Sequence, residues 1–517
     1  MVQTIKNYLK RFIYLMKAKL KQKYRKRPQL SVSSPSLLEV NSPLSSSEIE
    51  VLAKKYSGKL LLRHEIHLDE SLFQLLLNKR KFTSKKSIIQ TFFGSRCVRC
   101  NNKDPALLRT FPCARCRKEH LYCRKCIMMG KISSCESLYE WTGPSYAWPK
   151  HINACTWHGT LTPLQQEASD RLLKAIDRRE ELLVWAVTGA GKTELLFPSI
   201  EKALESGMRL CIATPRADVV RELLPRLKKA FKNIDIQALY GESRDRESNA
   251  QIIIATTHQL LRFKEAFDVL IIDEIDAFPY HADPMLPFVT RRARKQHSTT
   301  IYLTATPRDE LKRRIRQKRL SYCFIPLRYH GYPLPVPSSV ADYSLTKYLQ
   351  KNKLPRSVKR WLINRHIPKR QLLLFVPTIP LAERIVEELS DFLLIHKYID
   401  SCSEVAFVHA EDPLREEKVK QFRQKKLYAL VTTTILERGV TFPSVDVAVL
   451  QADHVVFDRA ALVQIAGRAG RNKEDPKGEV IFFHQGKTEA IVLAIEEIVT
   501  MNHRGKRWKE NRRLVDI

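Results

Sequence analysis

The sequence predicts an α/β protein in which two parallel-sheet lobes follow a cysteine-rich module. From about residue 160 onward, short apolar runs alternate with helical segments, and strands buried on both faces of a parallel sheet have this composition. Eight of the 11 cysteines fall between residues 97 and 155, so they belong to one local module. The first series of runs is ELLVWAV, RLCIAT, AQIIIAT, VLIID and TIYLTAT, and the second is RQLLLFV, EVAFVH, YALVTT, VDVAVLQ and GEVIFFH.

Size, charge and cysteine content narrow the class of protein. The chain has 517 residues, a formal net charge of +34 and 11 cysteines. So large a positive excess favours an anionic partner, either nucleic acid or an acidic membrane surface. The odd, unevenly spaced cysteines argue against a secreted disulfide framework. No apolar run reaches the about 18 residues that a bilayer span needs, and no secretory signal is convincing. We therefore expect a cytosolic protein that can attach to a surface.

The N-terminal segment is basic. Residues 1–27 carry ten Lys or Arg and no acidic residue, and apolar positions recur at helical spacing. A basic amphipathic helix on anionic lipid has this pattern. A solvated basic arm that touches nucleic acid or nothing explains it equally well, and a mis-assigned start codon is a third explanation. The apolar positions are Ile5, Leu9, Phe12, Met16 and Leu20.

Composition shifts along the chain predict six regions. A Ser- and Pro-rich stretch at 28–48 has the composition of a linker. A basic, Pro-punctuated stretch after residue 308 separates the two series of strands. We expect a basic segment with linker (1–49), a small α/β region (50–94), a cysteine module (95–158), a first lobe (159–310), an inter-lobe linker (311–365) and a second lobe (366–517).

The stretch VWAVTGAGKTE has the features of a phosphate-binding loop. Gly189, Gly191, Lys192 and Thr193 follow an apolar strand and precede a helix. Glycines let backbone N–H groups close around phosphate oxygens, the lysine reaches the β- and γ-phosphates, and the Thr hydroxyl binds magnesium. The strict pattern begins with Gly where this chain has Ala186. The sequence therefore predicts an ATP and Mg²⁺ site.

Two acids end the strongly apolar run VLIID eighty residues later. Asp273 at this strand end suits a carboxylate that holds magnesium through water. Glu274 beside it suits a group that orients and deprotonates the attacking water. Taken alone, such a pair is usually a surface turn, but the preceding phosphate-binding loop favours the catalytic interpretation.

Further short motifs follow in a fixed order between about residues 160 and 485. Together with the loop and the acids they resemble a superfamily 2 helicase of the DEAD-box type, and the resemblance implies two RecA-like lobes with ATP between them. The motifs are LTPLQ ending at Gln165, TPRADVV from Thr214, TTHQLL from Thr256, DEID from Asp273, TAT from Thr304, TTTILERGVTFPSVD from Thr432, and QIAGRAGR with Gln464, Gly467, Arg468, Gly470 and Arg471.

The resemblance implies roles for individual residues. Arginines of the second lobe would stabilise charge developing on the γ-phosphoryl group, although ordinary surface salt bridges explain arginines too. The threonines would touch the phosphodiester backbone, although they can also cap helices. The catalytic set is Lys192, Asp273, Glu274, Arg468 and Arg471. The nucleotide-binding set is Gln165, Gly189, Ala190, Gly191, Lys192, Thr193, Glu194 and Asp273. The nucleic-acid set is Thr214, Arg216, Thr256, Thr257, Thr432, Thr433 and Thr434.

The cysteine module contains three Cys-x-x-Cys pairs. This spacing lets both thiolates of a pair face one Zn²⁺, and two pairs complete a tetrahedral site. A redox dithiol would need a βαβ setting that is missing here. Adjacent pairing leaves six residues between the doublets, whereas outer pairing leaves 22, near the range of zinc ribbons. We therefore predict one zinc on Cys97, Cys100, Cys123 and Cys126. A second set would comprise Cys113, Cys116, Cys135 and either Cys155 or a histidine.

A zinc module that precedes superfamily 2 lobes is a more specific signature than the helicase motifs alone. CVRC, YCRKCIMMGKISSCESLYEW and TWHGTLTPLQ resemble the ComFA-type late-competence ATPases of Gram-positive bacteria, over about residues 60 to 485. The resemblance implies ATP-driven movement of single-stranded DNA through the competence channel, at the inner face of the cell membrane. It also implies two partners, a phosphoribosyltransferase-like competence protein and a recombinase-loading protein.

The same ATPase motifs are also compatible with other functions. One is a helicase for DNA repair, replication restart or RNA, and another is a zinc-centred adaptor that uses ATP as a conformational switch. Anionic lipid and a second copy of the chain are further candidate partners. The module's own lysines and arginines predict a basic platform that guides the strand or docks a partner.

Overall fold

The computed structural model describes residues 44–241, 243, 247–367 and 369–515. The predicted basic segment and most of its linker lie outside the described residues. The α-helices of the described chain are α1 (Ser46–Tyr56), α2 (Glu70–Asn78), α3 (Pro163–Arg178), α4 (Phe197–Glu205), α5 (Ala217–Ala230), α6 (Met285–Ala293), α7 (Asp309–Arg316), α8 (Leu345–Gln350), α9 (Arg356–Ile363), α10 (Ile379–Ile395), α11 (Arg415–Arg423), α12 (Arg459–Ala466) and α13 (Glu489–Val515).

The strands fall into five sheets. They are β1 (Leu60–Leu62), β2 (Phe82–Lys86), β3 (Ile88–Thr91), β4 (Gly94–Cys97), β5 (Leu108–Pro112), β6 (Glu119–Cys123), β7 (Ile132–Ser133), β8 (Ser137–Trp141), β9 (Glu181–Ala186), β10 (Leu210–Thr214), β11 (Ile236–Leu239), β12 (Ile252–Thr256), β13 (Phe267–Asp273), β14 (Arg294–Thr304), β15 (Ser321–Ile325), β16 (Ser338–Ala341), β17 (Gln371–Phe375), β18 (Val405–Val408), β19 (Ala429–Thr432), β20 (Val445–Val449) and β21 (Val480–His484).

The first lobe is built on a seven-stranded parallel sheet in the order β11-β12-β10-β13-β14-β9-β15. Its interior strands are the predicted apolar runs, and every residue of β10 and β12 is buried. Only β14 separates β9 from β13, and all three strands run in the same direction. Their carboxyl ends therefore meet at one edge of the sheet, where parallel α/β folds bind ligands.

The second lobe has a six-stranded parallel sheet in the order β16-β21-β20-β17-β19-β18. All five predicted runs of this lobe are strands, so the prediction of two parallel-sheet lobes is confirmed. After β21 the chain ends its described part in α13, a helix that the sequence reading did not single out. Among the described residues, no helix has the length and apolar character needed to cross a bilayer.

The predicted linker of residues 311–365 is wrong in its extent. Strand β15 pairs with β9 in the first sheet, whereas β16 pairs with β21 in the second. The chain therefore passes between the sheets at residues 326–337. Basic and Pro-rich composition suggested a linker, but an edge strand needs few apolar positions, and in β15 Cys323 and Ile325 alone are buried.

The small α/β region at the N-terminus also extends beyond its predicted bounds of residues 50–94. Its antiparallel sheet has the order β1-β8-β2, so the central strand comes from beyond the cysteines. The predicted module of residues 95–158 is therefore too long. The last part of the predicted module packs against the first lobe instead. The His151 ring contacts Gln251 at 3.2 Å, and Thr156 N donates to Ala230 O at 2.7 Å.

Candidate functional site

The phosphate-binding loop connects β9 to the turn before α4. Gly189 and Gly191 have φ of +77° and +72°, which L side chains rarely adopt. A Cβ added at Gly191 would lie 2.4 Å from Nε2 of Gln165, so the loop also has no room there. A 3₁₀ turn from Glu194 to Leu196 separates the loop from α4, because Pro198 has no N–H to donate to the carbonyl of Glu194 in an α-helical pattern.

Gln165 is held against this loop by the start of α3. Thr162 and Gln165 form a capping box, in which Gln165 Oε1 accepts from Thr162 N at 2.8 Å. The same arrangement turns Nε2 toward the loop, where it donates to Ala190 O at 2.8 Å. A movement of the loop would therefore alter its hydrogen bond with Gln165.

The two acids lie at the end of β13, opposite Lys192. Burial and the neighbouring charge of Glu274 raise the pKa of Asp273 to about 6. Burial lowers the pKa of Lys192, and the carboxylate of Asp273 opposes that effect. Glu274 has φ of +54°, a strained conformation that often marks functional sites. Its Oε2 is buried without a hydrogen-bond partner among the described residues, so it is available to a water or ligand.

The two arginines of QIAGRAGR differ in their surroundings. Arg468 is 2% exposed, and its guanidinium donates to Glu437 O at 2.9 Å and to Val440 O. Arg471 is half-buried and donates through Nε to Gly467 O at 2.9 Å. Arg468 is therefore fixed by the backbone of its own lobe, whereas the end of the Arg471 side chain has fewer partners.

These groups line one cavity of about 600 Å³ between the lobes. Gly467 of the second lobe touches the loop so closely that a Cβ there would lie 1.9 Å from Thr188 Oγ1. The cations that line the cavity are Lys192, Arg226, Arg468 and Arg471, and its acids are Glu194, Glu222, Asp273 and Glu274. Every predicted catalytic residue lines it, and so does every predicted nucleotide-binding residue except the buried Ala190. Glu194 also pairs with Arg226.

The sequence reading missed aromatic and basic residues at this cavity. Trp157 and Tyr329 line it, and Tyr329 N donates to Gly189 O at 2.9 Å. Arg328 is buried against the loop, donates to Gly470 O, and has Nε and Nη2 without partners among the described residues. Both Arg328 and Tyr329 belong to the stretch treated as a linker. The stretch LRYHGYP (residues 327–333) contains no local pattern that indicates this contact with the loop.

A second group of missed contacts joins the lobes beneath the cavity. Asp276 accepts from Arg438 at 2.6 Å, and both side chains are buried. Thr304 Oγ1 donates to Asp276 at 2.6 Å, and Thr306 Oγ1 also donates to it. Burial raises the pKa of Asp276, but Arg438 and the two hydroxyls outweigh it, so the pKa lies well below its usual range. Asp276 is therefore an ionised partner that holds the second lobe against the first.

Replacing Arg438 by alanine is expected to separate the lobes. It leaves Asp276 buried and unpaired, which costs about 3–5 kcal/mol. The radius of gyration measured by small-angle scattering without nucleotide should therefore increase. Arg384→Ala, which removes an exposed arginine of α10, is the matched control. Unchanged scattering from Arg438→Ala would show that other contacts hold the lobes together.

The predicted strand-binding residues are distributed between a cleft and the core. Thr433, Thr434 and Arg216 line a second inter-lobe cavity of about 530 Å³, together with Tyr240 and other residues. Arg216 is engaged there, since it donates to Glu437 Oε1 at 2.7 Å. Four predicted threonines are instead buried side chains, whose hydroxyls do not reach the cleft in this conformation. They are Thr214, Thr256, Thr257 and Thr432.

The cysteine module brings together the four sulfur atoms of the outer pairing. Cys97 Sγ lies 3.9 Å from Cys126 Sγ, and Cys100 Sγ lies 3.6 Å from Cys123 Sγ. All four cysteines are buried, and their sulfur atoms lie within 4.8 Å of one another. Tetrahedral Zn²⁺ places its thiolates about 3.8 Å apart, so this donor set fits zinc.

The four other cysteines predicted for the module are a cluster of three and Cys155, which lies apart. Cys113, Cys116 and Cys135 form a second sulfur cluster near the surface. Cys155 does not join them, because its N–H donates to Glu201 on the first lobe at 3.0 Å.

The module is packed onto the first lobe. Its four buried cysteines share an apolar cluster with Leu260, Leu261 and Met285 of that lobe. Arg292 reinforces the contact, because its guanidinium donates to Val98 O at 3.3 Å and to Leu261 O at 2.8 Å. The cysteine module and the first lobe therefore share one hydrophobic core.

Three families match consecutive parts of the chain. They are the competence protein ComFA N-terminal domain over residues 45–140, the res subunit of type III restriction enzymes over 158–309, and the helicase conserved C-terminal domain over 354–473. The division agrees with the N-terminal region and the two lobes.

Two curated relatives match across most of their length. Competence protein ComFA of Bacillus subtilis strain 168 is 46% identical over 466 residues, which cover 90% of this chain and 97% of that protein. Competence protein ComFA of Streptococcus pneumoniae R6 is 40% identical over 381 residues, which cover 74% and 85%. Among solved structures, the helicase Lhr of Mycobacterium smegmatis, bound to single-stranded DNA and AMP-PNP, has a TM-score of 0.51 at 17% identity. It covers 66% of this chain and 50% of Lhr, and the likeness shows the RecA-like helicase fold.

Proposed function

Because this chain belongs to the ComFA family of competence proteins, we propose that its ATPase moves single-stranded DNA into the cell during natural transformation. The chain has a superfamily 2 helicase-like ATPase fold with a role in competence. Stimulation by DNA and transport of the strand are our proposal. The observation that carries it is the cavity in which Lys192, Asp273 and Glu274 of one lobe face Arg468 and Arg471 of the other.

Each side of the cavity has a chemical task in ATP hydrolysis. Lys192 and the loop N–H groups bind the β- and γ-phosphates, and Glu274 orients the attacking water. Arg471 stabilises charge on the γ-phosphoryl group when the lobes close. Thr193 and Asp273 would hold Mg²⁺, which would supply positive charge to offset that of the phosphates.

Two adjacent residues link hydrolysis to the strand cleft. Arg438 binds Asp276 behind the nucleotide cavity, and Glu437 binds Arg216 in the cleft. The carbonyl of Glu437 also accepts from Arg468 at 2.9 Å. Opening the lobes after hydrolysis breaks the Arg438–Asp276 and Glu437–Arg216 pairs together and so releases Arg216 from Glu437. We propose that this release changes the grip on DNA in each cycle.

Further partners follow from the family and the charge. We propose a structural Zn²⁺ on Cys97, Cys100, Cys123 and Cys126, a location at the inner face of the membrane beside the competence channel, and contacts with a phosphoribosyltransferase-like competence protein and a recombinase-loading protein. A net charge of +34 supports binding to DNA or anionic lipid. Self-association is a further proposal, which sedimentation of the purified chain would test.

The proposal predicts that single-stranded DNA raises kcat for ATP hydrolysis more than duplex DNA or RNA does. Bound strand favours the closed lobes, which place Arg471 at the phosphates. Steady-state ATPase assays with each nucleic acid measure the effect. Lys192→Ala, expected to lose at least about a hundredfold in turnover, gives the background. Lys174→Ala changes an exposed lysine of α3 and is the matched control.

Each other outcome favours a different function. Stimulation by RNA alone would replace the competence engine by an RNA helicase, and preference for duplex or forked DNA would favour repair or replication restart. Turnover that responds to no nucleic acid would favour the adaptor that uses ATP as a switch.

A further inference from the structure

The outer end of the β5-β6-β7 sheet carries four metal-ligand side chains outside the buried cysteine quartet. Cys135 Sγ lies 3.5 Å from Cys113 Sγ and 3.6 Å from Cys116 Sγ. His120 Nε2 lies 3.0 Å from Cys116 Sγ. Thiolates that share one zinc stand about 3.8 Å apart, so the trio already has nearly the required spacing.

The turn at Cys113 repeats the backbone of the turn at Cys97. In the first turn, Asn101 N donates to Cys97 O at 2.9 Å, and Cys97 N donates to the carbonyl five residues on. In the second, Arg117 N donates to Cys113 O at 2.8 Å, and Cys113 N again donates five residues on. The fifth residue of each turn has positive φ, +61° at Asn101 and +55° at Arg117. The second Cys-x-x-Cys pair is therefore folded like the pair that belongs to the main zinc site.

This end of the sheet has little hydrophobic core to hold it. No residue from 109 to 122 is buried, although β5 and β6 form a regular antiparallel pair there. Short segments that bury little apolar surface commonly depend on a disulfide or a metal. All the cysteines here are unpaired by disulfides. A bound ion would supply the missing cross-link between the turn at Cys113, β6 and the chain after β7.

His120 is prepared to be the fourth ligand. Its Nδ1 lies 3.1 Å from Ser134 Oγ, and the same oxygen accepts from Leu121 N at 3.1 Å. An oxygen with two lone pairs can accept both hydrogen bonds, which puts the ring proton on Nδ1 and leaves Nε2 free to bind metal. Of the three sulfur atoms, that of Cys116 alone is within hydrogen-bond distance of the ring. An ion at the centre of the trio therefore requires the ring to move inward.

We propose that Cys113, Cys116, His120 and Cys135 bind a second Zn²⁺, separate from the ion of the buried quartet. Three thiolates and one imidazole are a common structural set for zinc. Such a site carries one net negative charge, and Arg115 donates to Cys135 O at 3.2 Å and lies 3.5 Å from its sulfur. Because the quartet is buried and this set is partly exposed, a chelator should remove the second ion first.

Zinc content per chain tests the proposal. We expect two zinc ions in the full-length chain purified under reducing conditions without chelator, measured by elemental mass spectrometry and native mass spectrometry. Cys135→Ser and His120→Ala should each contain one. His120→Cys should contain two, because a thiolate can replace the imidazole, and this rescue separates lost ligation from lost folding.

Two variants serve as matched controls, and several results would contradict the second site. Cys155→Ser and His158→Ala, which change the same residue types outside the set, should keep two ions. One zinc per wild-type chain would overturn the second site. Two zinc ions in His120→Ala would overturn the role of the imidazole, and a wild type with one zinc and two fewer titratable thiols would replace the ion by a disulfide. A ratio of one in both His120→Ala and His120→Cys would also count against ligation.

Discussion

Replacing Arg471 by alanine should reduce kcat for ATP hydrolysis by about a thousandfold or more, the usual contribution of an arginine that stabilises the γ-phosphoryl group. Arg471 lines the nucleotide cavity, and its guanidinium has few partners within its own lobe. Its removal should therefore affect the transition state much more than folding. Steady-state hydrolysis gives kcat, and titration with a fluorescent ATP analogue should show a nearly unchanged Kd.

Arg468 provides the contrast for this prediction. It donates to Glu437 O and Val440 O inside the lobe, and a buried carbonyl without its donor costs about 1–3 kcal/mol. Arg468→Ala should therefore lose stability together with activity. Lys473→Ala, which changes an exposed residue two positions beyond Arg471, should leave both unchanged. Normal kcat in Arg471→Ala with inactive but stable Arg468→Ala would assign the phosphoryl contact to Arg468.

Loss of the Zn²⁺ that we propose on the buried cysteine quartet should have the largest effect on stability. Structural zinc contributes about 10 kcal/mol or more of binding free energy to small modules. Cys123→Ser removes one ligand of the quartet, so we expect zinc loss and an unfolded module. Zinc analysis and limited proteolysis between residues 95 and 140 measure these two effects. Because the module shares its apolar cluster with the first lobe, the thermal midpoint of that lobe should fall as well.

Basal ATP hydrolysis at low temperature separates folding from chemistry in this variant. No residue of the described N-terminal region before Trp157 lines the nucleotide cavity, so the surviving folded fraction should turn over ATP at the wild-type rate. DNA or partner binding should be weaker, as expected of a basic docking platform. Cys402→Ser changes an exposed cysteine far along the chain and is the control. Full zinc retention in Cys123→Ser would contradict the outer pairing.

Local patterns were enough to predict the strands and the nucleotide loop. Strands buried on both faces are apolar along their whole length, as β10 and β12 are, and the loop is one continuous stretch of sequence. The outer cysteine pairing followed from spacing, since 22 residues between its doublets lie near the range of zinc ribbons, whereas adjacent doublets are only six residues apart. Each of these features depends on residues close together in the chain.

Features made by distant residues could not be predicted in this way. Strand β8 completes a sheet with β1 from almost eighty residues away, and nothing local marks it as the central strand. Asp276 and Arg438 are 162 positions apart. The threonines of the helicase motifs looked exposed because their motif is known for strand contact, yet Thr214 and Thr432 lie at buried strand ends. His120 could not be singled out as the histidine of the second set, since nothing in the sequence around Cys116 indicates which ring lies beside it.

The adjacent residues Glu437 and Arg438 determine how closely the nucleotide cavity and the strand cleft are coupled. The side chains that serve the two sites leave the backbone at neighbouring Cα atoms, about 3.8 Å apart. In the motor that we propose, the nucleotide cavity and the strand cleft are therefore connected at this point through a single peptide unit. The distance moved per ATP would then depend on how far the lobes themselves swing, and a ligand bound beside that peptide should stall both sites at once.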